Sequence, residues 1–451
     1  MAEPLMSFPA SPISGPLYEQ YLYSYPHKLA YGPINPALPL AEVWGTERKD
    51  TLSLYVHVPF CEQRCGFCNL FTFANPSETL PARYLRTLRR QMARTRAALG
   101  KARFAQFAVG GGTPTFLSAD QLRELFQGLA EVMGLDAAAA PGSVETSPLT
   151  ATADKLRVLR DRGVNRISMG VQSFADAESA SIGRRQAAAT VHEAVRRIRD
   201  HAFPTLNLDL MYGLPDQTKV SFLASLRAAL EHRPEELYLY PLYVRPLTRL
   251  GRSAEPSAHD WDAQRLTLYR AGRALLLAEG YTQASMRMFR RAGAPSLTSL
   301  HRCQADGMVG LGAGARSYTD AVHYSTAYAV GAQKVRSILE SYVVADDSSF
   351  DHVSWGAVLT EEEKRRRFAI LSLLHESGLD LEAYRARFAS DPLADLPELQ
   401  ALLSIRTPEP LLERTGDNLV LTASGFERSD QLGPWLMSER VRKLTREGPR
   451  S

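Results

Sequence analysis

Apolar runs rich in β-forming residues recur along the chain at residues 52–58, 104–109, 166–171, 206–211 and 237–243. Helix-like segments lie between them, for example 82–99 and 119–133. Regular alternation of strand and helix predicts an α/β fold, with a parallel sheet and crossover helices. Five or more such units in some 200 residues suit a full or partial (β/α) barrel, in which functional residues gather at the C-terminal ends of the strands. A further helix is expected over 256–278. The last stretch has a different rhythm: helices at 361–375, 381–388 and 396–403, then a hairpin over 411–422 that turns at Thr415-Gly416-Asp417-Asn418. That order predicts a small winged-helix-like α+β domain. The expected organisation is an N-terminal arm (1–45), a barrel core (46–330) and a C-terminal domain (331–451). The arm is rich in Pro and Tyr, including Tyr18, Tyr21, Tyr23, Tyr25 and Tyr31, and reads as an extended segment lying on the main body.

Composition narrows the function. The 451 residues are 45% hydrophobic, enough for one large core and a smaller appended one. The charge balance, 53 basic against 49 acidic residues, leaves only +4. An excess that small and that scattered gives no basis for a nucleic-acid or membrane partner. The start, Met-Ala-Glu-Pro-Leu-Met-Ser, has no basic segment followed by an apolar one, and no run approaches the length of a membrane span, so a cytoplasmic location is expected.

Three of the four cysteines fall within eight residues, as Cys61, Cys65 and Cys68, just after a predicted strand. A disulfide scaffold would distribute its cysteines along the chain, whereas a cluster points to metal or redox chemistry. Structural zinc would need a fourth ligand, drawn from Cys303, His57 or His301. The CxxxCxxC spacing resembles instead the signature of radical S-adenosylmethionine (SAM) enzymes. The resemblance implies a [4Fe–4S] cluster on three thiolates, with one iron free to chelate the amino and carboxylate groups of SAM.

Further motifs follow in order: Gly110-Gly111-Gly112-Thr113-Pro114-Thr115, Val144-Glu145-Thr146-Ser147-Pro148, Arg166 to Phe174, Gly183-Arg184-Arg185, Asn207 to Pro215, and Gly310 to Tyr318. Together they resemble the oxygen-independent coproporphyrinogen III oxidase family over roughly residues 50–430. That family implies two bound SAM molecules. Tyr55, Gly111, Glu145, Pro241 and Arg316 would contact the first, and Phe67, Gly112, Thr113, Gln172, Arg184 and Asp209 would surround the second.

Two departures bear on the substrate. Leu70 stands where the porphyrin oxidases carry a further cysteine, and Gln186 where relatives often have histidine. Together with the Tyr23-Ser24-Tyr25-Pro26-His27-Lys28 arm and the Cys65 to Phe71 context, they direct the expectation to the class C radical SAM methyltransferase-like branch. The expected activity is one-carbon transfer, by methylation or cyclopropanation, to an sp² carbon of an aromatic or heteroaromatic natural product. A reductant such as flavodoxin or ferredoxin would serve it. The alternatives are oxidative decarboxylation of a porphyrinogen, with Arg245, Arg249, Arg287, Arg290 and Arg291 available for propionates, and a heme chaperone using Cys303 or a histidine. Tyr238, Tyr240 and Tyr243 lie near a strand end without an assigned role.

Overall fold

Strands that place large aliphatic side chains at every second position need a second layer on that face. Leu52, Leu54, Val56 and Val58 do this on one strand, and Leu206, Leu208 and Leu210 on another, all at most 1% exposed. In the computed structural model, which describes residues 11–18, 20–245, 248–252, 258–295, 303–406 and 409–448, they build a 13-stranded sheet. In chain order the strands are β1 (Gly32–Pro39), β2 (Leu52–Val58), β3 (Phe104–Gly111), β4 (Gly142–Thr146), β5 (Val164–Gln172), β6 (Thr205–Tyr212), β7 (Glu236–Pro241), β8 (Tyr281–Gln283), β9 (Met288–Arg291), β10 (Met308–Leu311), β11 (Arg316–Tyr318), β12 (Val322–Ser325) and β13 (His352–Val358). Their spatial order is β1-β13-β12-β11-β10-β2-β3-β4-β5-β6-β7-β9-β8.

The stretch from β10 to β7 is parallel, and both flanks are antiparallel. Helices α1 (Leu80–Leu99), α2 (Ala119–Glu131), α3 (Ala153–Asp161), α4 (Ala188–Asp200) and α5 (Lys219–Leu230) make the crossovers. Local chemistry sets where they begin: Ser118 and Gln121 form a capping box at α2, and Thr218 and Ser221 form another at α5. The expected α/β partial barrel is therefore present. The helix expected over 256–278 is found as Ala258–Ala278.

The other face of the parallel strands differs in kind. The residues between the aliphatic ones include Ser53, Tyr55 and His57 on β2, Ser143 and Glu145 on β4, Arg166 and Ser168 on β5, Asn207 and Asp209 on β6, and Glu236, Tyr238 and Tyr240 on β7. They hydrogen-bond to one another across the strands: Gln106 to Ser53 at 2.9 Å, Asn207 to Ser168 at 2.8 Å, and Arg166 to both Glu236 and Ser143 at 2.7 and 3.0 Å. A barrel that only packed upon itself would fill this face with branched aliphatics. A polar lining equips it to receive a polar ligand.

A second apolar core, with Ile370, Leu373, Leu399, Leu419 and Phe426, forms the C-terminal unit and includes Leu22 and Tyr25 of the arm. Its hairpin pairs Leu412–Thr415 with Asn418–Leu421. The division expected near residue 330 falls inside the large sheet, because β11–β13 extend it antiparallel and β13 pairs with β1 of the arm. No helix among the described residues is long and apolar enough to cross a membrane.

Candidate active site

The loop after β2 carries the three cysteines, and neighbouring elements pin it on several sides. Gly66 N donates to Ile182 O at 2.7 Å, and Leu250 N donates to Gly66 O at 3.0 Å. His57 Nε2 meets the carbonyl of Phe71 at 2.8 Å, and its Nδ1 meets Tyr55 Oη at 3.1 Å. Each thiol also has a polar neighbour: Thr113 Oγ1 lies 3.6 Å from Cys61, Arg184 Nη1 3.7 Å from Cys65, and Thr72 Oγ1 3.6 Å from Cys68.

Burial pushes the Cys61 thiol up to about 12 against the opposing effect of Thr113, with Cys68, Cys65 and Glu62 adding to the rise. Burial raises Cys65 as well, although Arg184 opposes it. Three gathered thiols are the donor set that iron cations stabilise as thiolates, so the residues fit a cluster. His57 is engaged by Phe71, and Cys303 lines a separate cavity in the sheet's inner face. Neither therefore joins the cysteines, and His301 lies outside the described residues. Among the described residues, no three His, Cys, Asp or Glu side chains close around a single ion.

The turn after β3 passes beneath the loop. Gly112 N donates to Val58 O, and Thr113 N to Phe60 O, both at 2.8 Å. Gly111 has φ +120°, and a Cβ there would come within 2.8 Å of the His57 ring, so glycine is required. Glu145 accepts from Gly111 N at 3.0 Å. Its carboxyl is pushed up to about 7 by burial, against the Gly111 hydrogen bond, and Asp209 raises it further. Asp209 accepts from Asn207 Nδ2 at 2.8 Å, and burial raises it to about 6 despite Asn207, Arg166 and Arg184. Carboxyls held this high invite a cationic or hydroxyl-bearing partner, which an amino group or a ribose supplies.

Arg184 is held between Cys65, the carbonyl of Gly170 and Gln186 Oε1, the last at 2.8 Å. Gly170 lies opposite Asp209 in the strand register, so Arg184, Asp209 and the cysteine loop converge. Gln172 sits beside them with φ +71°, a strained backbone at the strand end. Phe67 packs on the apolar cluster of Ile182, Met211, Leu214 and Leu242. Pro241 ends β7, buried and paired with Tyr212.

Arg316 is drawn to the arm, where its Nη1 donates to Tyr23 Oη at 2.8 Å. The arm residues Tyr23 and Lys28 border the site, and sequence reasoning assigned them no role. The Tyr-rich segment was the only signal, and its contacts come from distant parts of the chain. Gln304, for example, holds the arm by bonding the backbone of both Tyr23 and Tyr25. Beneath Tyr55 and Glu145, a cavity of about 300 Å³ is lined by Ser53, Gln106, Arg166 and Cys303 among others.

A partial barrel with a three-cysteine loop and two carboxyls of raised pKa at its C-terminal mouth is the architecture of a radical SAM protein. The Radical SAM superfamily model matches residues 55–229. The heme chaperone HemW of Bacillus subtilis is 33% identical over 272 residues, which span 59% of this chain and 70% of that protein. The oxygen-independent coproporphyrinogen III oxidase of Cereibacter sphaeroides is 30% identical over 354 residues, 76% of this chain and 77% of the relative. The solved structure of coproporphyrinogen III oxidase (HemN) from Escherichia coli shares the fold with TM-score 0.78 at 24% identity, over 94% of this chain and 97% of the other. The chain belongs to the radical SAM family that contains the HemW heme chaperones and the oxygen-independent coproporphyrinogen III oxidases.

These relatives overturn the expectation of a methyltransferase-like enzyme acting on an aromatic natural product. Two of the features behind that expectation have packing explanations: Tyr23 and Lys28 wall the mouth, and Gln186 orients Arg184. The arginines offered for propionates also divide. Arg287, Arg290 and Arg291 face Asp430, Glu236 and Glu235 of the same chain, and Arg249 lies across Gly66 and Gly183.

Proposed function

We propose that the protein carries out SAM-dependent oxidative decarboxylation of a carboxylate-bearing tetrapyrrole, of the coproporphyrinogen III oxidase type. A reduced cluster with SAM bound supplies a 5′-deoxyadenosyl radical. The chain's own residues bind and orient. Cys61, Cys65 and Cys68 hold the cluster, and Glu145 with the turn at Gly111 receives the SAM amino group. Gln172, Arg184 and Asp209 form a second polar wall with room for a second SAM molecule or for substrate. The hydrogen atom taken from a propionate side chain ends in 5′-deoxyadenosine. Carbon dioxide leaves, a vinyl group forms, and one electron passes to a one-electron acceptor.

The observation that carries the reading is the polar inner face at the mouth, which unites the cysteine loop, Glu145, Asp209 and Arg184 in a chain whose relatives handle tetrapyrroles. Anaerobic incubation of the reconstituted, reduced protein with SAM and coproporphyrinogen III tests it. Vinyl-bearing product with matching 5′-deoxyadenosine is expected, and consumption of SAM with intact substrate would refute it.

A second reading, heme chaperone, has support in the 33% identity to HemW proteins. Stoichiometric hemin binding with a shifted Soret band and no turnover of coproporphyrinogen would favour it.

A further inference from the structure

Among the described residues, two cations border the mouth without an ion pair to a carboxylate. Lys28 Nζ lies 3.4 Å from the carbonyl of Asn69, the residue after Cys68, and 4.0 Å from the Tyr328 ring centroid, and it also bonds Tyr328 Oη. Arg316 bonds Tyr23 Oη and lies over that ring at 4.9 Å. Both side chains are part-buried, and none of the strongest electrostatic influences on either comes from a carboxylate. Burial pulls Lys28 down to about 8, opposed by Tyr23 and Cys68 and reinforced by Arg316 and Arg245. His27, beside them, is lowered further by burial and by Lys28, Arg316 and Arg245, and stays neutral.

Cations withdrawn from water normally face an anion. Elsewhere this chain follows that rule: Arg287, Arg290 and Arg291 each have their carboxylate. Phenol and carbonyl oxygens take that place around Lys28 and Arg316.

We propose that Lys28 and Arg316, with Arg245 beside them, form a carboxylate-binding site between the arm and the cysteine loop, and that it takes one propionate of the tetrapyrrole. The assignment rests on the tetrapyrrole reading above. It accounts for the position of the site, because a carboxylate held beside Asn69 places the adjoining methylene carbons next to the cluster loop. It also gives a function to the arm, which brings Tyr23 and Lys28 to the mouth and is held there in part by Gln304. The amino-acid end of SAM is the other source of a carboxylate here.

The test is anaerobic equilibrium binding to cluster-reconstituted protein, with coproporphyrin III, its tetramethyl ester and SAM as separate probes in the same mild detergent. Wild type is expected to bind the free acid more tightly than the ester. Lys28→Gln and Arg316→Gln should each weaken the free acid about ten-fold or more, as loss of a charge-assisted hydrogen bond requires. Ester affinity should hold within about two-fold in both variants and SAM affinity within about two-fold in Lys28→Gln, and Lys28→Arg should keep most of the free-acid affinity. Equal losses for acid and ester would overturn the site, since lost packing would then explain them. A loss confined to SAM would move the carboxylate to SAM and overturn the substrate assignment. Free-acid binding that survives in both variants defeats the site alone. Wild type that binds neither porphyrin defeats the tetrapyrrole reading and the site with it.

Discussion

At the seam between the barrel and the C-terminal unit, Arg287 and Asp430 face each other at 2.5 Å, 1% and 2% exposed, and Tyr243 bonds both. At the barrel mouth, Asp209 is half-buried and Glu145 reaches solvent, both with raised pKa values, and Lys28 and Arg316 bond phenol and carbonyl oxygens, with no carboxylate paired to them among the described residues. Both networks are polar, the first withdrawn from water and the second open to it at Glu145. The first matches each charge within the chain, so it fixes how two cores meet. The second leaves charges unmatched, so it depends on ligands. Buried polar residues therefore mark function here by how they are satisfied, rather than by their burial.

The largest expected effect breaks the mouth outright. Cys61→Ala should abolish cluster assembly, read as loss of iron and of the visible charge-transfer band, with no 5′-deoxyadenosine formed. Next comes the seam. Asp430→Asn keeps the shape but strands the Arg287 charge, and should lower unfolding free energy by about 3–5 kcal/mol in denaturant melts. SAM affinity of the folded fraction should stay within about two-fold. Unchanged stability would mean that the pair does not hold the two cores together.

Glu145→Gln should act in the opposite sense. It removes a carboxylate whose charged form is disfavoured in the ligand-free site, so the ligand-free protein should be at least as stable as wild type at pH 8 in denaturant melts. SAM affinity should fall about ten-fold or more. A variant that is both less stable and still competent for SAM would contradict the assignment of Glu145.

The pH dependence sharpens the same contrast. Protonation of Glu145 and Asp209 stabilises the ligand-free fold. That contribution is fully present below the ordinary values of 4.5 and 3.8, and is lost as pH rises through about 7 and about 6. SAM binding needs the carboxylates, so its affinity should decline as pH falls through those same values. The smallest effect belongs to an exposed pair, Arg123 with Asp120: Arg123→Ala should change stability by less than about 0.5 kcal/mol.

Much of this was legible in the sequence where the determinants are local. The cysteine spacing lies within one loop, and β2 and β6 announce themselves through dense aliphatic side chains. The helix Glu361–Leu373 begins at a Thr360–Glu363 capping box that four consecutive residues define. Strand β4, only Gly142–Thr146, has no apolar run and shows itself mainly through its neighbours. The antiparallel extension was not legible, because β11, β12 and β13 are set by pairing with one another and with the arm. Arg287 read as a propionate ligand because Asp430 comes from the far end of the chain. Lys28 and Arg316 meet for the same reason, through long-range docking that no local pattern records.

The most direct measurement is the fate of hydrogen from coproporphyrinogen III deuterated on its propionate side chains, under anaerobic turnover with unlabelled SAM. Deuterium in 5′-deoxyadenosine, with a decarboxylated vinyl product in equal amount, is the expected result. Deuterium-free 5′-deoxyadenosine with the porphyrinogen recovered intact would contradict tetrapyrrole oxidation at this site.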